Sequence, residues 1–324
     1  MPDTMTDPAA ETAVAVKASK QKLGAVGWVC AAWLILLVLV SLFGGLLKAT
    51  PIEEGSRALR ACGDGSGLPI YDPLGCRDTK AAREQRDSGR AEGKVRHLAG
   101  VDDAGRDVFS MVFLGTRTTI TIAVVSIAGA TLLGGLLGML SGYFRGRVDT
   151  VVSILLDVMI AFPPLVLAML LVFSYSAGAP ERRVRAIMIA VTVVATPILG
   201  RIARVSAMSW SQREFVMAAK ALGARPHRII LREVLPNVVP AMMSIALLAV
   251  GIAIVTEAGL SIIGMGVGGD DVSWGAVIAA GADSFRKMPH LVFVPTVPIV
   301  VTVCALNLLG DALRRKFNVR ESAL

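Results

Sequence analysis

Two carboxylates, Asp157 and Glu257, interrupt long apolar runs, and their placement asks first for a chemical explanation. Charge is expensive in hydrocarbon, so such a residue marks either a polar contact between helices or the lining of a pathway or gate. A proton relay would need several such groups near mid-depth. At ~1.5 Å of rise per residue, Asp157 falls about two turns into its run and Glu257 near the outer end of its own, neither at the midplane. The two are read as interhelical contacts or gate-lining groups. Beyond Asp157, Pro163 and Pro164 stand in AFPPL, where a missing amide and a ring clash must bend a helix. That bend either shapes a path or serves packing.

Catalytic patterns are missing. No stretch reads G-x-x-x-x-G-K-[ST], the loop whose amides cradle nucleotide phosphates. His97, His227 and His290 are scattered, without a pair at metal-ligand spacing, and no nucleophile elbow is present. The expectation is a chain with no catalytic residue, no metal site and no cofactor of its own.

The elements that position these residues are membrane helices. Of the 324 residues 54% are hydrophobic and 18% charged, and the mean hydropathy is +0.64, more apolar than a soluble core of this length can use. A spanning helix needs about 20 apolar residues. Six stretches qualify: Ala25 to Leu47, Arg117 to Tyr143, Val151 to Tyr175, Ala186 to Met208, Val238 to Ile263 and Leu291 to Leu313. They are continuous runs, without the alternation of a lipid-facing strand, so the fold class is an all-α membrane protein with six transmembrane helices. The first run starts too far in, and is too long, for a cleaved signal peptide.

Basic residues in short flanks set the orientation. Lys17, Lys20 and Lys22 put the N-terminus in the cytoplasm. Six crossings then put Arg145 and Arg147, the stretch around Lys220 and Arg225, and the tail from Arg314 on the same side. Arg182, Arg183 and Arg185 fall outside, against the rule, and are outvoted. The net charge of +8 is thus mostly a topology signal. Nucleic-acid binding does not fit, because the basic residues sit at membrane borders without aromatic interleaving.

Cys62 and Cys76 share the long outer loop, in ACGDGSGLPIYDPLGC, where oxidation is permitted. They are read as a disulfide closing a loop of ~15 residues, worth about 3 kcal/mol in the chain-entropy picture; the alternative is two free or metal-binding thiols. Further on, Asp102 and Asp103 precede an amphipathic run and read as a helix cap rather than a cation site. In the second span Gly134, Gly135, Gly138 and Gly142 lie on nearby helical faces, which lets another backbone approach closely.

Between the fourth and fifth spans lies EFVMAAKALGARPHRIILREVLPN, Glu214 to Asn237. It is polar and basic, with small Ala218, Ala219 and Ala221, a break at Gly223 and Ala224, a second set of helical turns, then Leu235 and Pro236. Such a pair of short helices has a low-profile face suited to insertion into a partner, and Gly223 permits the turn between them.

This stretch resembles the EAA loop of the permease subunits of bacterial ABC importers: EAA, three residues, Gly, nine residues, an apolar residue, one residue, Leu-Pro. Met217, Ala218, Ala219, Gly223, Glu233, Leu235 and Pro236 occupy those places. Met217 stands for the nominal glutamate and Glu233 for the apolar residue, and Glu214 is not given the missing acid's role. GVDDAGRDVFSMVFLGTR, EAGLSIIGMGV followed by SWG, and NLLGDALRRKF are similar to further stretches of the C-type subunits of dipeptide, oligopeptide and nickel uptake systems. The resemblance covers about Leu98 to Phe317.

It implies a type I ABC importer permease: a cytoplasmic tail (1–24), a first span (25–47), an extracytoplasmic loop (48–115), a five-helix core (116–313) containing the coupling loop (209–237), and a cytoplasmic tail (314–324). Implied partners are a second homologous permease, two ATP-binding subunits that carry the ATP and Mg, an extracytoplasmic substrate-binding protein and membrane lipid. Glu214, Met217, Ala218, Ala219, Leu222, Gly223, Ala224, Leu235 and Pro236 would then contact the ATPase, and Asp157, Pro163, Pro164 and Glu257 are candidates for the gate or pathway. Glu257 and Asp271 are the outer acidic groups to test first. Peptides are the implied cargo; nickel chelates, glutathione, haem or another solute are alternatives. An ion-driven secondary transporter and a non-transporting scaffold are the rivals from other classes.

Overall fold

The computed structural model describes residues 25–43, 99–100, 102, 108–268, 271–286 and 288–321, with side chains described at 27–43 and up to 315. Cys62 and Cys76, Asp103 and most of the GVDDAGRD segment lie outside the described residues. Among the described residues the regular secondary structure is all helical. In order come α1 (Ala25–Phe43), α2 (Val108–Phe144), α3 (Gly146–Ala161), α4 (Pro164–Ser176), α5 (Arg183–Trp210), α6 (Glu214–Ala221), α7 (Pro226–Ile229), α8 (Leu235–Ile262), α9 (Trp274–Ala282) and α10 (His290–Glu321).

Among the described residues, four helical stretches are long and apolar enough to cross a membrane: Val108–Phe144, Pro180–Trp210, Pro226–Ile262 and His290–Arg315. α3 and α4 supply a fifth crossing if counted as one span, although they meet at 89°. Two prolines in succession explain the break. Phe162 and Pro163 are extended, with ψ of 136° and 127°, as a residue before proline prefers, and Pro164 restarts the helix at its first position, where no amide is needed. The expected kink in one span from Val151 to Tyr175 is therefore a corner between two helices, and α3 begins earlier, at Gly146. The first span of the six expected is shorter over the described residues, Gly27–Phe43. It packs on α10, where Trp33 Nε1 donates to Thr302 Oγ1 at 3.1 Å.

α2 and α5 form the central seam. Gly134, Gly138 and Gly142 recur every fourth residue, on one helical stripe. A Cβ on Gly134 would lie 2.5 Å from the Thr196 carbonyl, and one on Gly142 2.5 Å from that of Arg204. At Gly138 it would collide with the Gly200 carbonyl and the Ala203 methyl. The two backbones meet here with nothing larger than the Ala203 and Ala207 methyls beside them, as the glycine spacing predicts. Around this seam Ile122, Ile127, Ile187, Leu199, Ile254 and Leu260 are buried in one core that also takes in Trp274.

α9 was not foreseen in the sequence, where no helix was placed between the fifth and sixth spans. Its signal was present: Ser273 precedes WGAVIAAGA, and its hydroxyl accepts from the Ala276 amide as an N-cap. Fully buried Trp274 fixes it to α2, its Nε1 donating to the Val112 carbonyl at 2.9 Å and its amide to Thr119 Oγ1 at 3.0 Å.

Candidate functional site

The stretch between α5 and α8 folds as a short helix, α6, followed by α7, which runs on into α8. α6 ends at Ala221, and Gly223, at φ 77°, turns the chain with open space where a Cβ would stand. α7 follows with Pro226 at its first position, and a π-helical turn, Ile230–Val234, leads into α8. Val216, Ile229 and Val234 are buried against Ala203, Ala207 and Trp210 of α5 and Val238 and Met242 of α8. The base of this fold is therefore part of a core rather than a loose loop. Lys220 Nζ lies 5.1 Å from the Tyr143 ring centroid, which ties α6 to the end of α2.

Its outer face exposes apolar side chains among basic ones such as Arg225, Arg228 and Arg232. Leu222, at the tip, is 88% exposed, and Phe215, Met217 and Leu231 are exposed with it. Beside the tip lies a groove of about 650 Å³ bordered by Ala219, Leu222, Ala224, His227, Arg228 and Glu233. Ala218 lies on α6, while Leu235 and Pro236 open α8 away from the tip. An exposed leucine flanked by small residues, on a rooted helical pair, suits insertion into a partner's cleft.

At the opposite end, Glu257 is 1% exposed and holds α8 to α9. Its Oε1 accepts from Ser261 Oγ at 2.9 Å and from Ser273 Oγ at 2.7 Å. Gly275 sits so close that a Cβ there would come within 3.0 Å of Oε2. Glu257 is thus enclosed within this chain, beside the N-terminus of α9, where the helix dipole favours a carboxylate. Asp271, in the stretch before α9, is exposed.

Between the two ends, α3 meets α5 through charge. Asp149 receives the Arg204 guanidinium in a fork, Nε to Oδ1 at 2.5 Å and Nη2 to Oδ2 at 2.7 Å, and Ser141 of α2 donates to the same carboxylate. One level further, Arg201 Nη2 meets Asp157 Oδ1 at 2.6 Å. Sequence reading counted two ionisable groups in the spans. Arg201 and Arg204, inside its own fourth span, were overlooked, as was Asp149, which lay just before its third. The overlooked signal is spacing: arginines at i and i+3 on one helix, aspartates at i and i+8 on another, each set on one face. Arg201 also lies within ~7 Å of the midpoint of α5.

Residues 134–322 match the family described as binding-protein-dependent transport system inner membrane component. The chain belongs to that family. This permease is 32% identical over 248 residues to the dipeptide transport system permease protein DppC of Alkalihalophilus pseudofirmus, covering 76% of this chain and 79% of the relative. It is 35% identical over 218 residues to the probable D,D-dipeptide transport system permease protein DdpC of Escherichia coli K12, covering 67% and 72%. It is 32% identical over 218 residues to the glutathione transport system permease protein GsiD of Pectobacterium atrosepticum, covering 67% and 71%. Its fold is shared with the MetNI methionine ABC transporter in an inward-facing form, at TM-score 0.55 and 18% identity over 64% of this chain and 96% of that one. The chain is accordingly a multi-pass inner-membrane ABC importer permease of type I, in the dipeptide/oligopeptide group.

Proposed function

We propose that this permease forms half of the path of an ATP-driven importer for di- or oligopeptides and is driven through residues 214–237. The observation that carries this reading is the exposed Leu222 tip on a helical pair whose base is packed between α5 and α8. A rooted apolar knob passes a push from a partner into two spans at once, and with no phosphate loop here the push must come from a separate ATP-binding subunit. A second homologous permease completes the path, two ATPase subunits hold ATP and Mg, and a binding protein delivers cargo on the far side. Both termini are cytoplasmic in this arrangement. Peptides are favoured by the DppC and DdpC relatives, and glutathione, itself a tripeptide, by GsiD.

Gly223→Val tests the coupling. A β-branched residue at φ 77° is strained by ~1–3 kcal/mol, enough to distort the turn. ATP-driven peptide uptake in reconstituted vesicles should fall about tenfold, the rate equivalent of ~1.4 kcal/mol, with insertion and ATP binding by the partners unchanged. Normal uptake would sink the coupling role. A tagged chain that copurifies with two ATP-binding subunits supports the importer, and one isolated alone favours an ion-driven transporter or a scaffold.

A further inference from the structure

Arg201 and Asp157 form an ion pair whose side chains are 53% and 59% exposed, although Arg201 lies inside the spanning stretch Pro180–Trp210 and Asp157 on α3, the first half of the bent fifth crossing. Hydrocarbon does not tolerate such a pair, and intramembrane charges face either the interior of a bundle or water. This chain's own bundle leaves it uncovered. A second observation comes from the backbone a turn further along. At the α3–α4 corner, Ala161, Phe162, Pro163 and Pro164 are all exposed, and the backbone there leaves the helical ladder. Non-helical backbone at membrane depth persists only where protein covers it or where it lines a water-filled cavity. Charge and broken backbone thus make the same demand on one stretch of α3.

We infer that Asp157, Arg201 and the α3–α4 corner line the aqueous path, and that the ion pair is a station for the charged ends of a zwitterionic peptide. The guanidinium receives the cargo's carboxylate and the aspartate its ammonium; between turnovers the two neutralise each other, so neither charge is left bare. Arg204 and Asp149, one level away, are only 31% and 21% exposed and are locked by Ser141, so they hold α3 in place without meeting cargo. The station rests on the proposed peptide import, whereas the wetness of the corner does not.

Two measurements on the assembled importer test it. In a background with all four cysteines replaced, Ala161→Cys should react with a membrane-impermeant, positively charged methanethiosulfonate, and the rate should change when ATP is added. Leu132→Cys, on an apolar face of α2, is the control. Reaction at Ala161→Cys no faster than at Leu132→Cys, with and without ATP, overturns the aqueous path, and this readout needs no substrate. Uptake of a radiolabelled dipeptide then tests the station. Arg201→Gln and Asp157→Asn should each lower the maximal rate about tenfold, since each strands one charge. The double variant Asp157→Asn/Arg201→Gln strands none: uptake that stays depressed supports the station, and recovery to wild type reduces the pair to a structural link and overturns it. Absence of dipeptide uptake in the wild-type importer with an intact labelling pattern would instead remove the peptide reading and leave the wet corner standing.

Discussion

The two faces of α5 make different bargains with their neighbours. Toward α2, Gly200, Ala203 and Ala207 meet Gly134, Gly138 and Gly142 with backbones in contact. Toward α3, Arg201 and Arg204 reach out to Asp157 and Asp149 on flexible stems. Small residues leave no freedom, because a backbone cannot rotate out of a collision, and dispersion contacts are lost steeply with separation. Charged arms keep their attraction over a range of spacings and can exchange partners. One helix can therefore be welded on one side and hinged on the other, which is what a moving wall in a membrane requires.

The sharpest way to break this contrast is to insert bulk into the welded face. Gly138→Leu drives a side chain into the Gly200 carbonyl, so its cost should exceed the ~1–3 kcal/mol of ordinary overpacking. Monodisperse protein in detergent gel filtration should be lost; a normal peak would show that the seam can open. Next comes the inner ion pair. Asp149→Ala strands Arg204 and the Ser141 hydroxyl, and with partial exposure softening the loss, about 2 kcal/mol is expected, below the range for fully buried pairs. Thermal unfolding in detergent should show a lowered midpoint, and an unchanged one would mean that α3 is held by its apolar contacts alone. The smallest effect lies outside both faces: Thr302→Val removes the acceptor of Trp33 Nε1, at about 1 kcal/mol. Susceptibility of α1 to proteolysis should rise slightly while α2 and α5 stay protected; equal loosening of the whole bundle would deny that α1 is peripheral.

The welded face was legible beforehand because glycine at every fourth position has few other uses in an apolar helix. The hinged face was not. Arg201 and Arg204 sit in GRIAR, inside a run that scores as membrane, and each aspartate alone has several explanations. Meaning appears only when two helices are read together. At Pro163 and Pro164 the prolines announce a bend, but its size is set by where α4 finds its burial, with Ala168 and Val172 in the common core. The turn after α6 was legible in the sequence, since Gly223 is local punctuation that acts whatever the tertiary context. Glu257 read as either an interhelical contact or a gate-lining group, because a lone glutamate carries no hint of Ser273, sixteen positions away, as its partner.

Pro226 to Ile262 runs as one helical stretch of 37 residues, with Leu222 just before one end and Glu257 near the other. At ~1.5 Å per residue it is a rod of about 55 Å. A rigid rod converts rotation into travel: a tilt of ~10° about one end sweeps the other through roughly 10 Å, the width of a helix. The clamp between Glu257 and Ser273 therefore sits where leverage is greatest, and the hydrogen bond that the Ser273 hydroxyl donates to the carboxylate is the latch against which that arm would work.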